Sequence, residues 1–302
     1  MKIIILGGTG LIGKALTDRW KNKYELIVFT RNPGKNKDDP DKNLRYIYWN
    51  GLSIKNEDLK YFKGDYVIIN FVGESISGLW TKRYKNRILS SRINSVKVMI
   101  STIERTINMP QVIVQASAIG FYGYNIVDIV DERSNKGKGF LADVNDMWEK
   151  ATTVIDNLGI RLVIIRTGVV LTDNGGFLQL LKKQVKYRMA LIPGSGKQFL
   201  SWIDIVDEVR AIEFLITNNA CKGVYNLTSP KPVSISVLYK KMAKGMNRKI
   251  IGRVPAWILK ILLGKMATEL FLSDQKVVPT RLLNQNFTFD HPEISTSLEK
   301  YF

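Results

Sequence analysis

Apolar residues along this chain follow two patterns: unbroken runs of strand length, and longer stretches in which they recur every three or four positions. The strand-length runs lie at residues 3–6, 25–30, 45–49, 66–71, 112–116, 161–167 and 224–227. Helical periodicity follows most of these runs, at residues 11–21, 82–108, 140–158, 177–187 and 206–217. Strands that alternate with helices predict a doubly wound α/β fold, in which helices cover both faces of a parallel sheet.

The pattern changes after about residue 228. Helical stretches at residues 233–246 and 257–272 follow one another, and no apolar run of strand length comes after Pro255. We therefore predict a large α/β domain over residues 1–227 and a small, mostly helical domain over residues 228–302. The second domain is expected to cover the open end of the sheet as a substrate lid.

The second of these helical stretches is unusually apolar. Its stripe consists of Trp257, Ile258, Ile261, Leu262 and Met266. Further apolar residues widen this stripe beyond one side, which favours packing onto the first domain: Leu259, Leu263, Leu270 and Phe271. A helix that lies on a membrane surface is the alternative.

A glycine-rich turn, GGTGLIG at residues 7–13, connects the first predicted strand to the first predicted helix. Gly7 allows a sharp turn, Gly10 leaves room for backbone to approach a phosphate, and Gly13 lets the helix lie close to the sheet. Backbone N–H groups at a helix start attract anions. The turn therefore predicts a Rossmann-type dinucleotide site with contacts from Gly7, Thr9, Gly10, Leu11, Ile12 and Gly13. An ordinary strand-to-helix loop is the alternative.

The end of the second predicted strand indicates which dinucleotide would bind. An acid there accepts hydrogen bonds from a ribose 2′-OH, whereas an arginine accommodates a 2′-phosphate. This chain has Thr30 and Arg31 at that position, and no acid before Asp38, so we predict NADP(H). A solvent-facing loop charge is the alternative for Arg31. The polar loop at residues 32–43 is expected to close over the adenine end.

Composition narrows the other classes of function. The net charge of +18 raises nucleic acid as a partner, but the basic residues are scattered in short runs, which favours a solvated basic surface. Cys221 and His291 are the only residues of their types, so we expect neither a disulfide nor a metal site. No signal-like or membrane-spanning stretch stands out, which predicts a soluble cytoplasmic protein.

Several motifs together resemble extended short-chain dehydrogenases/reductases, and specifically their atypical bacterial "epimerase family" group, which belongs with the NAD-dependent epimerases and dehydratases. Besides the glycine turn, the motifs are TR at 30–31, NFVGESI at 70–76, SRINS at 91–95, ASAIGFYG at 116–123, RTGVVL at 166–171, GSGKQFLSWI at 194–203 and LLGKMATELFLSDQKVVPTRLL at 262–283. This resemblance implies a nicotinamide cofactor, with Thr30 and Arg31 at its adenosine end. It also implies that Asn70, Val72, Gly73 and Ser117 lie along its ribose and nicotinamide.

The same resemblance implies catalysis by a Ser or Thr, a Tyr, and a Lys four residues after the Tyr. Counting back from Glu149 places the Tyr position at Leu141 and the Lys position at Asn145, and neither residue can move a proton. The serine falls at Ala118, or at Ser117 in a shifted register.

Three other residues could replace the missing groups: Ser117, Tyr122 and Glu74, each expected at the end of a strand. A carboxylate or phenol beside the cofactor could act as an acid or a base. The alternative for Tyr122 is a packed aromatic whose hydroxyl caps the loop. The alternative for Glu74 is a carboxylate that binds loop N–H groups.

The sequence thus favours an NADP(H)-binding oxidoreductase, or an enzyme similar to nucleotide-sugar epimerases, that holds a small polar or anionic substrate between its two domains. A redox-silent NADP(H)-binding sensor is the alternative, because the Tyr/Lys pair is missing. We expect no specific nucleic-acid partner and no membrane partner. The resemblance implies a homodimer formed through residues 82–108 and 140–158.

Overall fold

The computed structural model describes residues 1–35, 38, 43–187 and 190–302. Its strands are β1 (Lys2–Leu6), β2 (Glu25–Thr30), β3 (Leu44–Tyr48), β4 (Tyr66–Asn70), β5 (Val112–Ala118), β6 (Asn125–Val130), β7 (Arg161–Thr167), β8 (Val169–Leu171), β9 (Leu191–Pro193), β10 (Phe199–Leu200), β11 (Trp202–Asp204), β12 (Gly223–Leu227), β13 (Val233–Ser234), β14 (Gly252–Val254) and β15 (Asp274–Val277). Its α-helices are α1 (Leu11–Trp20), α2 (Lys82–Ile103), α3 (Phe140–Lys150), α4 (Val154–Asn157), α5 (Gly176–Lys186), α6 (Ile205–Thr217), α7 (Ile235–Gly245), α8 (Ala256–Leu263), α9 (Thr280–Asn284) and α10 (Ile294–Glu299).

Seven strands of the described chain form one sheet, in the order β12-β7-β5-β4-β1-β2-β3. The pairings of β1 with β2, of β1 with β4, of β2 with β3 and of β4 with β5 are parallel. The predicted doubly wound α/β fold is confirmed. In the register between β1 and β4, Leu6 lies opposite Asn70. The turns that follow these two strands therefore begin side by side, at the point where the strand order reverses, which is where ligands bind in such sheets.

The apolar runs form strands because nearly all their side chains are buried. Ile3, Ile4 and Ile5 of β1 are fully buried, as are Ile68 and Ile69 of β4. Strands covered on both faces need continuous apolar sequence rather than alternation. The sequence pattern therefore locates the central strands closely.

The described chain divides into two compact units. Unit 1 comprises Met1–Ser117, Asp146–Ile165 and Ile212–Val224, and unit 2 comprises Ala118–Asn145, Arg166–Ala211 and Tyr225–Phe302. Each unit has its own apolar core, around Phe29 and Trp148 in unit 1 and around Trp202 and Leu238 in unit 2. A domain boundary at residue 227 stays a prediction.

Two predicted helices are wrong in their extent. The helix expected over residues 257–272 ends at Leu263, because Gly264 adopts a left-handed conformation with φ +56°, and a π-helical turn follows at Ala267–Phe271. The helix expected over residues 140–158 ends at Lys150 and is followed by the short helix α4.

The predicted packing of the 257–272 stripe is not what the structure shows. Met266 is buried, but Trp257, Ile261 and Leu262 are exposed. No helix in the described ranges combines the length and the hydropathy that a membrane crossing requires.

Candidate dinucleotide-binding site

The glycine turn after β1 in unit 1 is held by backbone hydrogen bonds. The Gly7 N–H donates to the Phe29 carbonyl (3.1 Å), and the Gly10 N–H donates to the Gly7 carbonyl (3.3 Å). Gly7 has φ +78°, which favours glycine. A Cβ on Gly13 would lie 2.5 Å from Gly8 Cα, so the helix start and the turn need Gly13 in order to touch.

Gly10 differs from these glycines because nothing in the chain requires it. Its φ is −73°, it is exposed, and a Cβ there would meet only the Gly7 carbonyl oxygen at 3.7 Å. A residue with a Cβ and a backbone N–H, such as alanine, could occupy this position in the protein alone. The space in front of Gly10 is therefore open to a ligand that approaches the backbone.

The start of α1 offers positive charge to such a ligand. No side chain caps this helix and its first turn contains no acid, so the N–H groups at its N-terminus keep their capacity to bind an anion. Thr9, Leu11 and Ile12 are half-buried around the opening. These features fit a pyrophosphate, which carries negative charge and needs close backbone contact.

The end of β2 meets the glycine turn through two hydroxyls. Thr9 Oγ1 and Thr30 Oγ1 are 3.3 Å apart, and the Asn32 N–H donates to Thr30 Oγ1 (3.3 Å). Arg31 is exposed. The nearest downstream acid, Asp38, accepts a hydrogen bond from the Tyr46 N–H (2.8 Å). The predicted lid over the adenine end involves residues 36, 37 and 39–42, which lie outside the described residues.

Asn70, at the end of β4, faces the interior. Its Nδ2 donates to Ser95 Oγ (3.1 Å) and to Gln115 Oε1 (2.9 Å), and its Oδ1 accepts from the Val72 N–H (3.2 Å). The side chain is fully buried. Asn70 therefore shapes the turn after β4 by joining it to α2 and β5, and its place along the ribose and nicotinamide stays a prediction.

The loop after β4 rests on Arg92. The guanidinium donates to the Glu74 carbonyl (3.1 Å) and to the Ile88 carbonyl (2.9 Å), and it stacks on the Trp148 ring at 5.0 Å. Burial lowers the Arg92 pKa to about 10, so the side chain remains cationic at neutral pH. A Cβ on Gly73 would lie 3.1 Å from this guanidinium. Gly73 thus lets the loop lie directly on a half-buried positive charge.

Glu74 is one of the residues predicted to act as an acid or a base, but its carboxylate is not buried. Its Oε1 forms an ion pair with Arg87 (3.0 Å), and a quarter of the side chain is exposed. Its backbone N–H donates to Ser91 Oγ (2.9 Å). The carboxylate therefore contacts a surface cation, and the alternative of loop N–H contacts is not what these bonds show.

Ser117, at the end of β5, is bound to a carboxylate. Its hydroxyl donates to Glu149 Oε1 at 2.6 Å, and both residues are buried. The short bond directs the Ser117 hydroxyl proton toward the accepting oxygen of Glu149. The sequence alone assigns Glu149 no role of its own. Its position on the buried side of α3 is the feature that could identify it.

Tyr122 lies in unit 2, within a buried polar network. Its hydroxyl donates to Asn226 Oδ1 (2.8 Å) and accepts from Arg166 (2.9 Å), whose guanidinium stacks 3.4 Å from the Phe121 ring centroid. Burial raises the Tyr122 pKa to about 12. The hydroxyl is therefore protonated and fully engaged, which matches the packed aromatic considered as its alternative.

The positions of the usual Tyr and Lys hold Leu141 and Asn145 on α3. Asn145 is buried, and its Nδ2 donates to the Leu141 carbonyl (2.8 Å) one turn earlier. Neither side chain can exchange a proton with a substrate. Among the described residues there is also no group of three or more His, Cys, Asp or Glu that could hold a metal ion.

Residues 3–228 match the NAD dependent epimerase/dehydratase family, and residues 254–300 match a domain of unknown function, DUF1731. The chain belongs to the NAD dependent epimerase/dehydratase family. An epimerase family protein of Staphylococcus haemolyticus is 31% identical over 99% of this chain and 98% of its own length. The resemblance inferred from the motifs is therefore confirmed.

Solved structures of family members share the fold. A human epimerase family protein crystallised with NADPH superimposes with a TM-score of 0.85 at 24% identity, covering 99% of this chain and 98% of the human one. A nucleoside-diphosphate sugar epimerase of Corynebacterium glutamicum gives a TM-score of 0.77 at 28% identity. That match covers 99% of this chain but 57% of the Corynebacterium chain.

Proposed function

We propose that this family member binds NADP(H) at the glycine turn and uses it in an oxidoreductase or epimerase reaction on a small polar substrate. The observation that carries the proposal is the open position at Gly10, which has no structural need to be glycine. Gly7, Thr9, Gly10, Leu11, Ile12 and Gly13 would hold the pyrophosphate. The bound nicotinamide would supply hydride transfer.

Preference for NADP(H) rests on Arg31. Arg31 is exposed after the end of β2. The first acid that follows it along the chain, Asp38, accepts a hydrogen bond from the β3 backbone. A guanidinium attracts a 2′-phosphate, whereas a carboxylate would repel it. The NADPH in the human relative is consistent with this assignment.

Calorimetric titration of the nucleotide-free full-length chain with NADPH and NADH tests the proposal. Arg31→Ala should weaken NADPH binding by about tenfold or more, since a charge-assisted hydrogen bond contributes roughly 1.5–3 kcal/mol, and should leave NADH binding unchanged. Arg19→Ala is the matched control because it removes an equally exposed arginine from the other end of α1. Equal losses for both nucleotides, or equal losses in both variants, would contradict the NADP(H) preference.

A pair of glycine variants separates the cofactor site from the fold. Gly10→Ala should leave the free energy of unfolding nearly unchanged and weaken NADPH binding, because the added methyl occupies only ligand space. Gly13→Ala should destabilise the protein itself, because its Cβ would overlap Gly8. If Gly10→Ala binds NADPH as tightly as the wild type, the pyrophosphate does not lie at this turn.

A redox-silent NADP(H) sensor is the second candidate. Leu141 and Asn145 support it, and so does the commitment of the Ser117 hydroxyl to Glu149. The two candidates differ in turnover. Oxidation of bound NADPH by a panel of sugar nucleotides and small carbonyl compounds would support the enzyme, whereas tight NADPH binding with no oxidation across the panel would favour the sensor.

A further inference from the structure

Helix α8 in unit 2 presents large apolar side chains to solvent. Trp257, Ile261 and Leu262 are 64%, 74% and 69% exposed. Every residue of α8 is described by the structure, and none of them is buried. Ile251, shortly before the helix, is 61% exposed. Neighbouring exposed apolar groups of this size mark an interaction surface.

The exposed apolar residues of α8 lie within one arc of about 140°, which also contains the half-buried Ile258. Successive helical residues are about 100° apart, so Ile261 lies roughly 40° and Leu262 roughly 140° from Trp257 on the same side. Lys260 lies about 60° from Trp257 on the other side and is exposed. The arc is therefore an apolar face with a cation at its edge.

All charged residues in the segment around α8 are basic. Residues 240–265 contain no Asp or Glu, and their basic residues are Lys240, Lys241, Lys244, Arg248, Lys249, Arg253, Lys260 and Lys265. All of these except Lys241 are exposed. Among the described residues, no ion pair links any of them to a carboxylate. The basic runs are short, as the scattered pattern of the whole chain indicates, but this segment differs from the rest in its absence of acids.

Some of these cations line an open cleft of ≈ 960 Å³ at the end of α7. Its polar lining includes Lys240, Lys244, Arg248 and Lys249, and Ile251 lies at its apolar side. Ala256, the first residue of α8, comes five positions after Ile251, which limits the distance between their Cα atoms to about 17 Å. The lining of the cleft thus continues along the chain into the start of α8 in unit 2.

We propose that residues 240–265, which include α8 and are called the α8 surface from here on, bind an anionic lipid bilayer. Hydrocarbon would accept Trp257, Ile261 and Leu262, and the exposed lysines and arginines would contact anionic headgroups. This inference is independent of the cofactor site, and it reverses the expectation of no membrane partner.

Charge decides between a bilayer and a second copy of this chain. In an isologous contact each copy would place its α8 surface against the same surface of the other. Two segments without a single acid would then repel each other around the apolar contact. An anionic bilayer offers the opposite charge and needs no matching shape.

Flotation of the full-length chain with vesicles tests the proposal. We expect binding to phosphatidylcholine vesicles that contain about a third phosphatidylglycerol, and weak binding to phosphatidylcholine alone. Trp257→Gln and Ile261→Gln should each reduce partitioning by about tenfold or more, and Arg253→Ala should reduce it by about fivefold. Ile107→Gln, which alters a 91% exposed residue outside the α8 surface, is the matched control and should bind normally.

Brominated lipids provide a second readout that does not depend on losing binding. Trp257→Phe keeps an aromatic side chain and should still float with anionic vesicles. Fluorescence quenching by brominated acyl chains should occur in the wild type and fall sharply in Trp257→Phe, because four of the other tryptophans are buried and the fifth, Trp80, is half-buried outside the α8 surface.

Three outcomes would overturn the proposal. Absence of binding to anionic vesicles would exclude the lipid. Binding that salt abolishes but that both glutamine variants retain would reduce it to charge attraction alone. A homodimer that dissociates in Ile261→Gln, together with no vesicle binding, would assign α8 to a second copy.

Discussion

At the scale of single residues, two glycines of one turn differ in whether the folded chain requires a glycine there. Gly13 is fixed by the protein, because a Cβ there would lie 2.5 Å from Gly8. Gly10 is constrained by nothing in the chain, since its nearest neighbour would be 3.7 Å from a Cβ. A substitution at Gly13 should therefore change stability, whereas a substitution three positions earlier, at Gly10, should change only ligand binding.

A second residue-scale feature is the buried carboxyl of Glu208 on α6. Its Oε1 accepts from the Thr167 hydroxyl (2.9 Å), and its Oε2 has no hydrogen-bond partner among the described residues. Burial raises its pKa from 4.5 to about 8. The folded chain therefore keeps this group neutral at a pH where the unfolded chain ionises it.

This shift predicts how stability changes with pH. Between pH 4.5 and about 8 only the folded state holds the Glu208 proton, so the free energy of unfolding should fall as the pH rises through that window, by on the order of a few kcal/mol. The free energy of unfolding of Glu208→Gln, measured by urea titration, should fall less than that of the wild type between about pH 5 and about pH 9. The exposed Glu104→Gln is the control. A variant with the same slope as the wild type would contradict the raised pKa.

At the scale of elements, α3 is capped by a distant residue. Glu269 Oε1 accepts from the Phe140 N–H (3.0 Å) and Oε2 accepts from the Leu141 N–H (2.8 Å). A carboxylate at a helix N-terminus satisfies free N–H groups and opposes the helix dipole. The π-helical turn after Gly264 thus stabilises the helix whose Tyr and Lys positions are occupied by Leu141 and Asn145.

We expect Glu269→Gln to lower the free energy of unfolding by about 1–3 kcal/mol, because the amide can accept only one of the two backbone hydrogen bonds. Thermal unfolding followed by circular dichroism measures the loss. Glu299→Gln changes an exposed carboxylate of α10 and should have little effect. Equal effects of the two substitutions would argue against the cap.

The same elements show how far sequence alone could reach. The central strands and the glycine turn were predictable because local apolar runs and glycine spacing determine them. The pairing of β6 with β15 was not, since β15 is polar and β6 is largely exposed. The bond from Ser117 to Glu149 joins residues 32 positions apart, and no local pattern identifies such a pair.

At the scale of the whole molecule, the sequence pattern and the compact units divide the chain differently. The sequence predicts a domain over residues 1–227, whereas unit 2 takes residues from both sides of that boundary. Within unit 2, β6 pairs with β15 and α3 depends on Glu269. Residues 118–145 therefore need residues from position 269 onward to pair β6 and to cap α3.

A truncated chain ending at residue 227 should consequently lose cooperative unfolding, because β6 and the start of α3 lack their partners. Calorimetry and proteolysis of the truncated and full-length chains provide the comparison. A truncated chain with a sharp transition and unchanged NADPH affinity would instead support an independent domain over residues 1–227.

The pairing of β6 with β15 also bears on synthesis. About 140 residues separate Val130 from Asp274, and at ribosomal rates of about 5–20 residues per second they take roughly 7 to 30 seconds to translate. During that time β6 lacks its β15 partner, and the nascent chain exposes an unpaired strand edge beside Val127 and Ile129, whose side chains stay exposed even in the folded chain. Shielding of this edge by a chaperone would protect every growing chain until Asp274–Val277 emerges.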